Sequence, residues 1–488
     1  MSAPSTDRPA TGTGPQSLRD AWPALAGLAA VFLFEMLDNS ILNVALPTIG
    51  HDLRASTTAL QWVTGAYSVV FGGLMLAFGA IADRFGRRRV MLVGLTLLGV
   101  ASLATAFVGS AAQLIGVRVV MGVAAAMTTP GSMALAFRLF DSDRLRVRAL
   151  TLISTIGMIG LAFGPTAGGL VLAVAPWQVL LLVNVPIAVL AILGIRAGIT
   201  RDDAAGLHRD PVDWPGAILG TATVVLALLS PTLFVDEGTG SPLPWLTAGA
   251  ALAAVVLFVR RQLSARHPLL DLKLVARPLV SSGLAYKAAA GLATGGLGYL
   301  VTLQLQLAWG WTPTLAALGL LPQVIVLLAG GRFVDPFVQR VGIERAAWLS
   351  AAAVVLGLAV YAVMNSHGYV WIAVALAIEA AGMRVVGAVA GVNVLRGLPK
   401  NRSTIGAALV DTATEVTSAV GIAVTGTILA ALFTGSIATP HWSVQQSGQF
   451  QSAATVSGLS LTFVAAALVG WAVNRMRGAA QPAEAGAA

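Results

Sequence analysis

The sequence predicts an all-α membrane protein: two bundles of six spanning helices with two extra helices inserted between them, fourteen spans in all. Three observations carry that expectation. The 488-residue chain is 57% hydrophobic and only 10% charged, with a mean hydropathy of +0.82, whereas a soluble chain carries about 25% charged residues. Its apolar residues come in runs of about twenty, long enough to cross a bilayer as helix. Its basic residues are confined to alternate loops, which is how a membrane chain is oriented.

Composition also excludes whole classes of function. The formal net charge is +9, but the basic residues lie in short loops between spans and not on one soluble face, so no nucleic-acid partner is expected. The absence of cysteine removes disulfides, zinc–thiolate sites and thiol chemistry. His51, His208, His267, His367 and His441 are scattered over separate loops, so neither a metal site nor an enzyme's acid–base constellation is expected. No phosphate-binding Walker loop is present to drive export with ATP.

Taken in order, residues 1–20 are rich in Ser, Thr, Pro and Gly and lack an apolar core; they read as a disordered cytosolic tail. Six spans are expected near 22–46, 58–82, 89–109, 112–138, 149–174 and 178–198, forming an N-terminal bundle over 21–198. Two extra spans near 214–234 and 243–262, with flanking cytosolic loops, occupy 199–278. Six more near 279–308, 313–333, 344–364, 369–395, 403–434 and 454–474 form the C-terminal bundle over 279–475, and 476–488 reads as a second cytosolic tail. With the N-terminus inside, 26 of the 30 basic residues fall on the cytoplasmic side and only Arg54 on the other. Arg118, Lys287 and Arg384 fall inside spans. A wrong span count would scramble this alternation, so the expectation is a multi-pass protein of the inner or plasma membrane with both termini cytoplasmic.

One cytoplasmic stretch, residues 79–89, packs Arg84, Arg87, Arg88 and Arg89 beside Asp83. Gly79, Ala80 and Ala82 let two helices approach before the turn, and Asp83 can hold a helix terminus or an arginine. The bland alternative is a positive loop that only sets topology. Its Gly79-to-Asp83 spacing recurs from Gly331 to Asp335, with Arg340 and Gly342 following and Pro336 expected to interrupt the copy. Each copy follows the second span of a six-helix block, as in carriers built from repeated halves around a central site.

Several motifs carry a family resemblance. In order they are Leu37-Asp38-Asn39 through Pro47; the 79–89 stretch; Arg118 with Gly122; Gly157, Gly160, Gly164-Pro165 and Gly168-Gly169; Trp177 with Asn184-Val185-Pro186; and Pro268 to Leu272. From about Ala21 to Val473 the chain resembles the major facilitator superfamily, specifically its fourteen-span drug:proton antiporters. The resemblance implies the major facilitator fold, alternating access, and the proton gradient as energy source with no cofactor. It implies a conformational gate at Gly79, Asp83, Arg84, Gly86 and Arg87, echoed at Asp335. It also implies that the fifth-span glycines and Pro165 shape the conformational cycle, and that Arg118 supports proton coupling. One departure stands out: Gly65 replaces the acid that quaternary-ammonium exporters often carry between Trp62 and Tyr67.

Eight ionisable residues fall inside the expected spans: Glu35, Asp38, Arg118, Lys287, Glu379, Arg384, Asp411 and Glu415. Each costs at least ~2.5 kcal/mol near the bilayer centre, so they face a cavity or each other. Proton coupling is expected at Asp38, Arg118, Asp411, Glu415 and Glu35, because an acid in an apolar cavity is disfavoured as an anion and can take up and release a proton. Glu35 and Asp38 are three apart on one face of span one, although Asp38 can instead serve structure at its outer end. Asp411 and Glu415 are four apart, able to share a proton and to attract a cation; the alternative is an ion pair to Lys287 or Arg384. Substrate contacts are expected from Asp411, Glu415 and Glu379, with the rings of Tyr67 and Phe71 and the amide of Gln306. Glu379 and Arg384 diverge by about 140° around their helix, which leaves Lys287 as a candidate partner for Glu379.

The expected function is proton-coupled efflux of cationic or neutral amphiphiles by a monomer in the lipid bilayer. An exporter dedicated to one endogenous metabolite or antibiotic, and a proton-coupled importer, are the alternatives.

Overall fold

A computed structural model of the chain describes residues 15–140, 142–200, 213–238, 240–398, 403–434 and 442–485. Among them there is no strand. The first six-helix block contains α1 (Trp22–Asp52), α2 (Thr57–Phe85), α3 (Arg87–Ala104), α4 (Ala111–Arg138), α5 (Asp143–Val174), and the short α6 (Gln178–Leu182) running on into α7 (Asn184–Gly198). α8 (Trp214–Asp236) and α9 (Pro242–Ser264) follow, then the single turn α10 (Leu272–Val275). The second block contains α11 (Pro278–Leu303), α12 (Pro313–Gly319), α13 (Leu321–Ala329), α14 (Gly331–Val341), α15 (Ile343–Met364), α16 (Tyr369–Gly397), α17 (Ser403–Leu432) and α18 (Val444–Ala485). A π-helical turn, Gln304–Ala308, extends α11.

Local chemistry sets the helix boundaries. Ser56 accepts from the Ala59 amide at 3.1 Å and starts α2, and Ser110 accepts from Gln113 at 3.3 Å and starts α4. Gly86, at φ 102°, is the single residue between α2 and α3; Gly342, at φ 82°, does the same between α14 and α15. Both turns need a backbone conformation that side chains resist.

Among the described residues, ten helices are individually long and apolar enough to cross a membrane, or up to 13 if three bent pairs each count as one span. That stops short of the fourteen expected. The bends are 40° in α1 between Asp38 and Ser40, 44° in α5 between Leu161 and Phe163, and 52° between α13 and α14 at Gly330. The α5 bend falls where Pro165 removes the hydrogen bond to the residue four earlier. Pro336, expected to interrupt its stretch, lies inside the continuous helix α14, and the break sits at Gly330 instead. Two other boundaries are corrected. Much of the expected loop 435–453 belongs to α18, which starts at Val444, and the expected tail from 476 continues that helix to Ala485.

The packing repeats. α1 lies against α5 and α7, as α11 lies against α17 and α18; α3 lies against α4 and α7, as α15 lies against α16 and α18. The halves meet along two seams, α2 with α17 and α5 with α12 and α13. Glycines permit the close crossings, because helices in lipid associate through backbone approach where no hydrophobic force separates them from their solvent. Gly157, Gly160, Gly164 and Gly168 face α1 in the same half, whereas Gly169 faces α12: a Cβ there would come within 2.8 Å of the Pro313 carbonyl oxygen.

α8 covers the α2–α17 seam. Thr221 donates to the Gly73 carbonyl at 3.1 Å, and Leu228 packs in one cluster with Val69 of α2 and Ala419 and Ala423 of α17. Asp213 caps α8 through the Gly216 amide at 3.2 Å and pairs with Arg261 of α9 at 2.8 Å, fixing the inserted helices to each other. Outward faces carry exposed apolar side chains such as Leu246, Val174 and Phe463, the surface a lipid environment requires.

Candidate functional site

A cavity of about 380 Å³ lies between the two halves, walled by α1, α2, α4 and α5 on one side and by α11, α13, α16 and α17 on the other. At the arginine-poor end the halves are tied together. Gln306 donates to the Val44 carbonyl at 2.7 Å, Thr314 to the Gly169 carbonyl at 2.7 Å, and Gln61 to the Ala423 carbonyl at 3.3 Å.

On the N-terminal wall, Asp38 sits at the α1 bend and is fully buried, near the middle of the helix and not at its outer end. Its partner is Arg118 of α4 at 2.5 Å, and Asn184 of α7 donates to its other oxygen at 3.2 Å. Arg118 also donates to the Val63 carbonyl at 3.1 Å and lies over the Tyr67 ring, 4.4 Å from its centroid. One acid, one guanidinium, an amide, a carbonyl and a ring satisfy one another, with Arg118 at the edge of the central cavity. Glu35 points elsewhere: it lines the cavity and accepts from the Thr129 hydroxyl at 2.8 Å. The bend separates the environments of two acids that sequence spacing puts on one face.

On the C-terminal wall, Asp411 and Glu415 both line the cavity, and the Ser68 hydroxyl of α2 donates to Glu415 across the seam. Among the described residues neither acid has a base within 4 Å, so the alternative of an ion pair to Lys287 or Arg384 is not what the geometry contains. Lys287 lines the same cavity within charge–charge range of both acids. The charges of Asp411 and Glu415 also reach Glu35 across the cavity. Glu379 is fully buried just behind the wall and accepts from Thr294 and Gln323, each at 3.3 Å, and not from Lys287.

Other expected contacts move. Tyr67 and Phe71 are buried side by side, with centroids 5.6 Å apart, and neither is among the described cavity residues; Tyr67 instead backs Arg118. Gln306 serves the α11–α1 tie, and it is Gln323 that reaches the wall. Thr129, Ser68 and Thr294 escaped sequence reasoning. Each is a lone hydroxyl in an apolar helix, and such residues usually bond their own helix backbone, so the signal was too general to single them out. Arg384 donates to Met158 Sδ at 3.0 Å and borders a second cavity of about 470 Å³, largely apolar, between α13, α14, α15 and α16.

The expected gate lies at the opposite end of α2. Gly86 makes the turn, Arg84 is exposed, and a Cβ added at Gly79 would meet Pro130 of α4 no nearer than 4.0 Å, so close packing does not demand a glycine there. Arg88 donates to the Arg196 carbonyl at 3.3 Å, holding the first turn of α3 to the end of α7. The side chains of Asp83 and Asp335 lie outside the described residues.

The sequence model of the Major Facilitator Superfamily matches residues 28–422. The chain is 29% identical over 425 residues to the methyl viologen resistance protein SmvA of Salmonella typhimurium, covering 86% of this chain and 84% of that protein. It is 31% identical over 431 residues to the multidrug efflux pump LfrA of Mycolicibacterium smegmatis, covering 86% and 83%. Among solved structures, the POT family transporter PepTSo superposes with a TM-score of 0.64 at 14% identity, covering 93% of this chain and 99% of that one. The last likeness concerns the fold alone.

Proposed function

Because the chain belongs to the Major Facilitator Superfamily, and its relatives are drug efflux and resistance transporters and not enzymes, we propose that it is a proton-coupled multidrug antiporter that exports cationic or neutral amphiphiles by alternating access. The observation that carries this reading is the acid cluster of the inter-half cavity. Asp411, Glu415 and Glu35 share one chamber, and none has a basic contact partner among the described residues.

Such a cluster binds a proton or an organic cation, and each excludes the other because both neutralise the same carboxylates. With the chamber open to the cytoplasm, an amphiphilic cation displaces a proton from Asp411 or Glu415. With it open outward, protons arriving down their gradient displace the cation. The apolar walls, including Phe32, Met36 and Leu327, take the hydrophobic body of a cationic or neutral compound. Asp38 and Arg118 then act as a fixed brace between α1 and α4 through which the occupied state is felt, and not as the exchange site itself.

The rest of the proposal rests on the alternation of basic loops and on the family. The protein works as a fourteen-span monomer in the cell membrane with both termini cytoplasmic, powered by the proton gradient and requiring no cofactor. The stretch from Gly79 to Arg87 closes the cytoplasmic end.

The test uses purified protein in proteoliposomes carrying a pH-sensitive dye inside. Adding an organic cation to acid-loaded vesicles should release luminal protons, and Asp411→Asn with Glu415→Gln together should abolish the release while the protein still inserts. Unchanged exchange in that double variant would sink the reading, and cation uptake that runs with the proton instead of against it would make the protein an importer.

A further inference from the structure

Lys287 lies inside a span, where a cation is costly, yet the exchange reading gives it no task. Its position is fixed by the register of two neighbouring helices. α11 and α17 run side by side, with Gly291 against Thr414 and Gly295 against Ser418. One further four-residue step toward the N-terminus on both helices sets Lys287 level with Val410 and Asp411, on the stripe of α11 that faces α17. Its side chain lines the central cavity, and its charge reaches both Asp411 and Glu415.

The contrast with the other buried cation of the site is instructive. Arg118 is bonded to Asp38 at 2.5 Å, to a carbonyl and to a ring. Lys287 makes no ion pair within 4 Å and no hydrogen bond to any described residue. An ammonium on a flexible four-carbon stem is suited to come and go, whereas a guanidinium fork is suited to stay.

We propose that Lys287 is a tethered cation that competes with the transported cation for the Asp411–Glu415 station. This rests on the exchange reading above and adds to it the property a substrate must have. In the empty chamber the ammonium offsets part of the acid charge. A cationic substrate has to push it aside, and its return helps to expel that substrate once the chamber faces outward. Because the competitor is attached to the wall, its effective concentration is high, and substrates whose charge is weak or poorly placed are turned away. Lys287 is thus a specificity-determining residue that trades affinity for release.

The experiment measures binding and transport of tetraphenylphosphonium, a lipophilic monocation, and binding of the uncharged amphiphile N-phenyl-1-naphthylamine, in wild type, Lys287→Met and Lys287→Arg. Removing one unit charge from the chamber should tighten tetraphenylphosphonium binding by about tenfold or more, the repulsion expected for two charges roughly 10 Å apart at an effective dielectric of about 20. KM and kcat for its transport should fall together in Lys287→Met, Lys287→Arg should return both toward wild type, and binding of the uncharged probe should stay within about twofold. A folded Lys287→Met protein that binds the monocation no more tightly overturns the proposal, as does tightening that extends equally to the uncharged probe. If the methionine variant fails to fold, Lys287→Gln carries the same comparison. A wild-type protein that exchanges no organic cation for protons overturns the export reading itself, which separates that failure from one confined to Lys287.

Discussion

In the N-terminal half, Asp38 has no exposed surface, and both of its oxygens are occupied, by Arg118 at 2.5 Å and Asn184 at 3.2 Å. In the C-terminal half, Asp411 and Glu415 face the cavity, and the contact partner seen for the pair is the Ser68 hydroxyl. The blocks repeat each other in their packing, yet Asp38 is spent holding helices together, whereas Asp411 and Glu415, like Glu35 of the first half, are left open to the chamber. A carboxylate bonded on both sides cannot exchange its partner without breaking the fold around it, whereas one facing a cavity can. Repeated architecture therefore does not require repeated chemistry; the division of labour lies in what each acid touches.

Thermal unfolding of detergent-solubilised variants measures that division. The largest effect is expected from Asp38→Asn, which leaves Arg118 buried without a counter-charge and should cost about 3–5 kcal/mol; a variant as stable as wild type would erase the contrast between the halves. Next come the two turn glycines. Gly86→Ala and Gly342→Ala should each cost about 1–3 kcal/mol by forcing a side chain into a conformation reserved for glycine. Similar losses at the two sites would show that the halves still share their structural joints. Glu379→Gln lies between the two classes of acid: its one oxygen can still accept from Gln323, and its new amide can donate to the Thr294 hydroxyl, which keeps its bond to the Ala290 carbonyl, so the loss should be about 1 kcal/mol. The smallest change is expected from Asp411→Asn alone, below about 1 kcal/mol, because Glu415 stays in the cavity opposite Lys287. A large loss there would mean that this C-terminal acid is also structural.

Much of the fold was legible in the sequence because span detection needs only local information. Most helix boundaries fall within a few residues of their expected positions, and the glycine turn at residue 86 and the Pro165 bend follow from backbone rules. The site was legible in kind but not in partnership. Asp38 and Glu35 look alike at three-residue spacing, and only the bend in α1 directs one to Arg118, 80 positions away, and the other to the cavity. Gln306 and Gln323 are equally unusual in lipid, and which one ties helices and which faces the chamber depends on the packing of α1 against α11. Hydropathy was blind to surroundings for the same reason: α11 is enclosed by other helices and α9 faces mostly outward, but lipid and protein interior are both apolar.

The placement of α8 makes the carrier lopsided. Because this helix grips both α2 and α17, the two lateral flanks of the molecule are not equivalent. Along one flank any parting of the halves must stretch or shed a third helix, while among the described residues the opposite seam at α5 and α12 has no such cover. The inserted pair works as a clasp on one side of a clamshell.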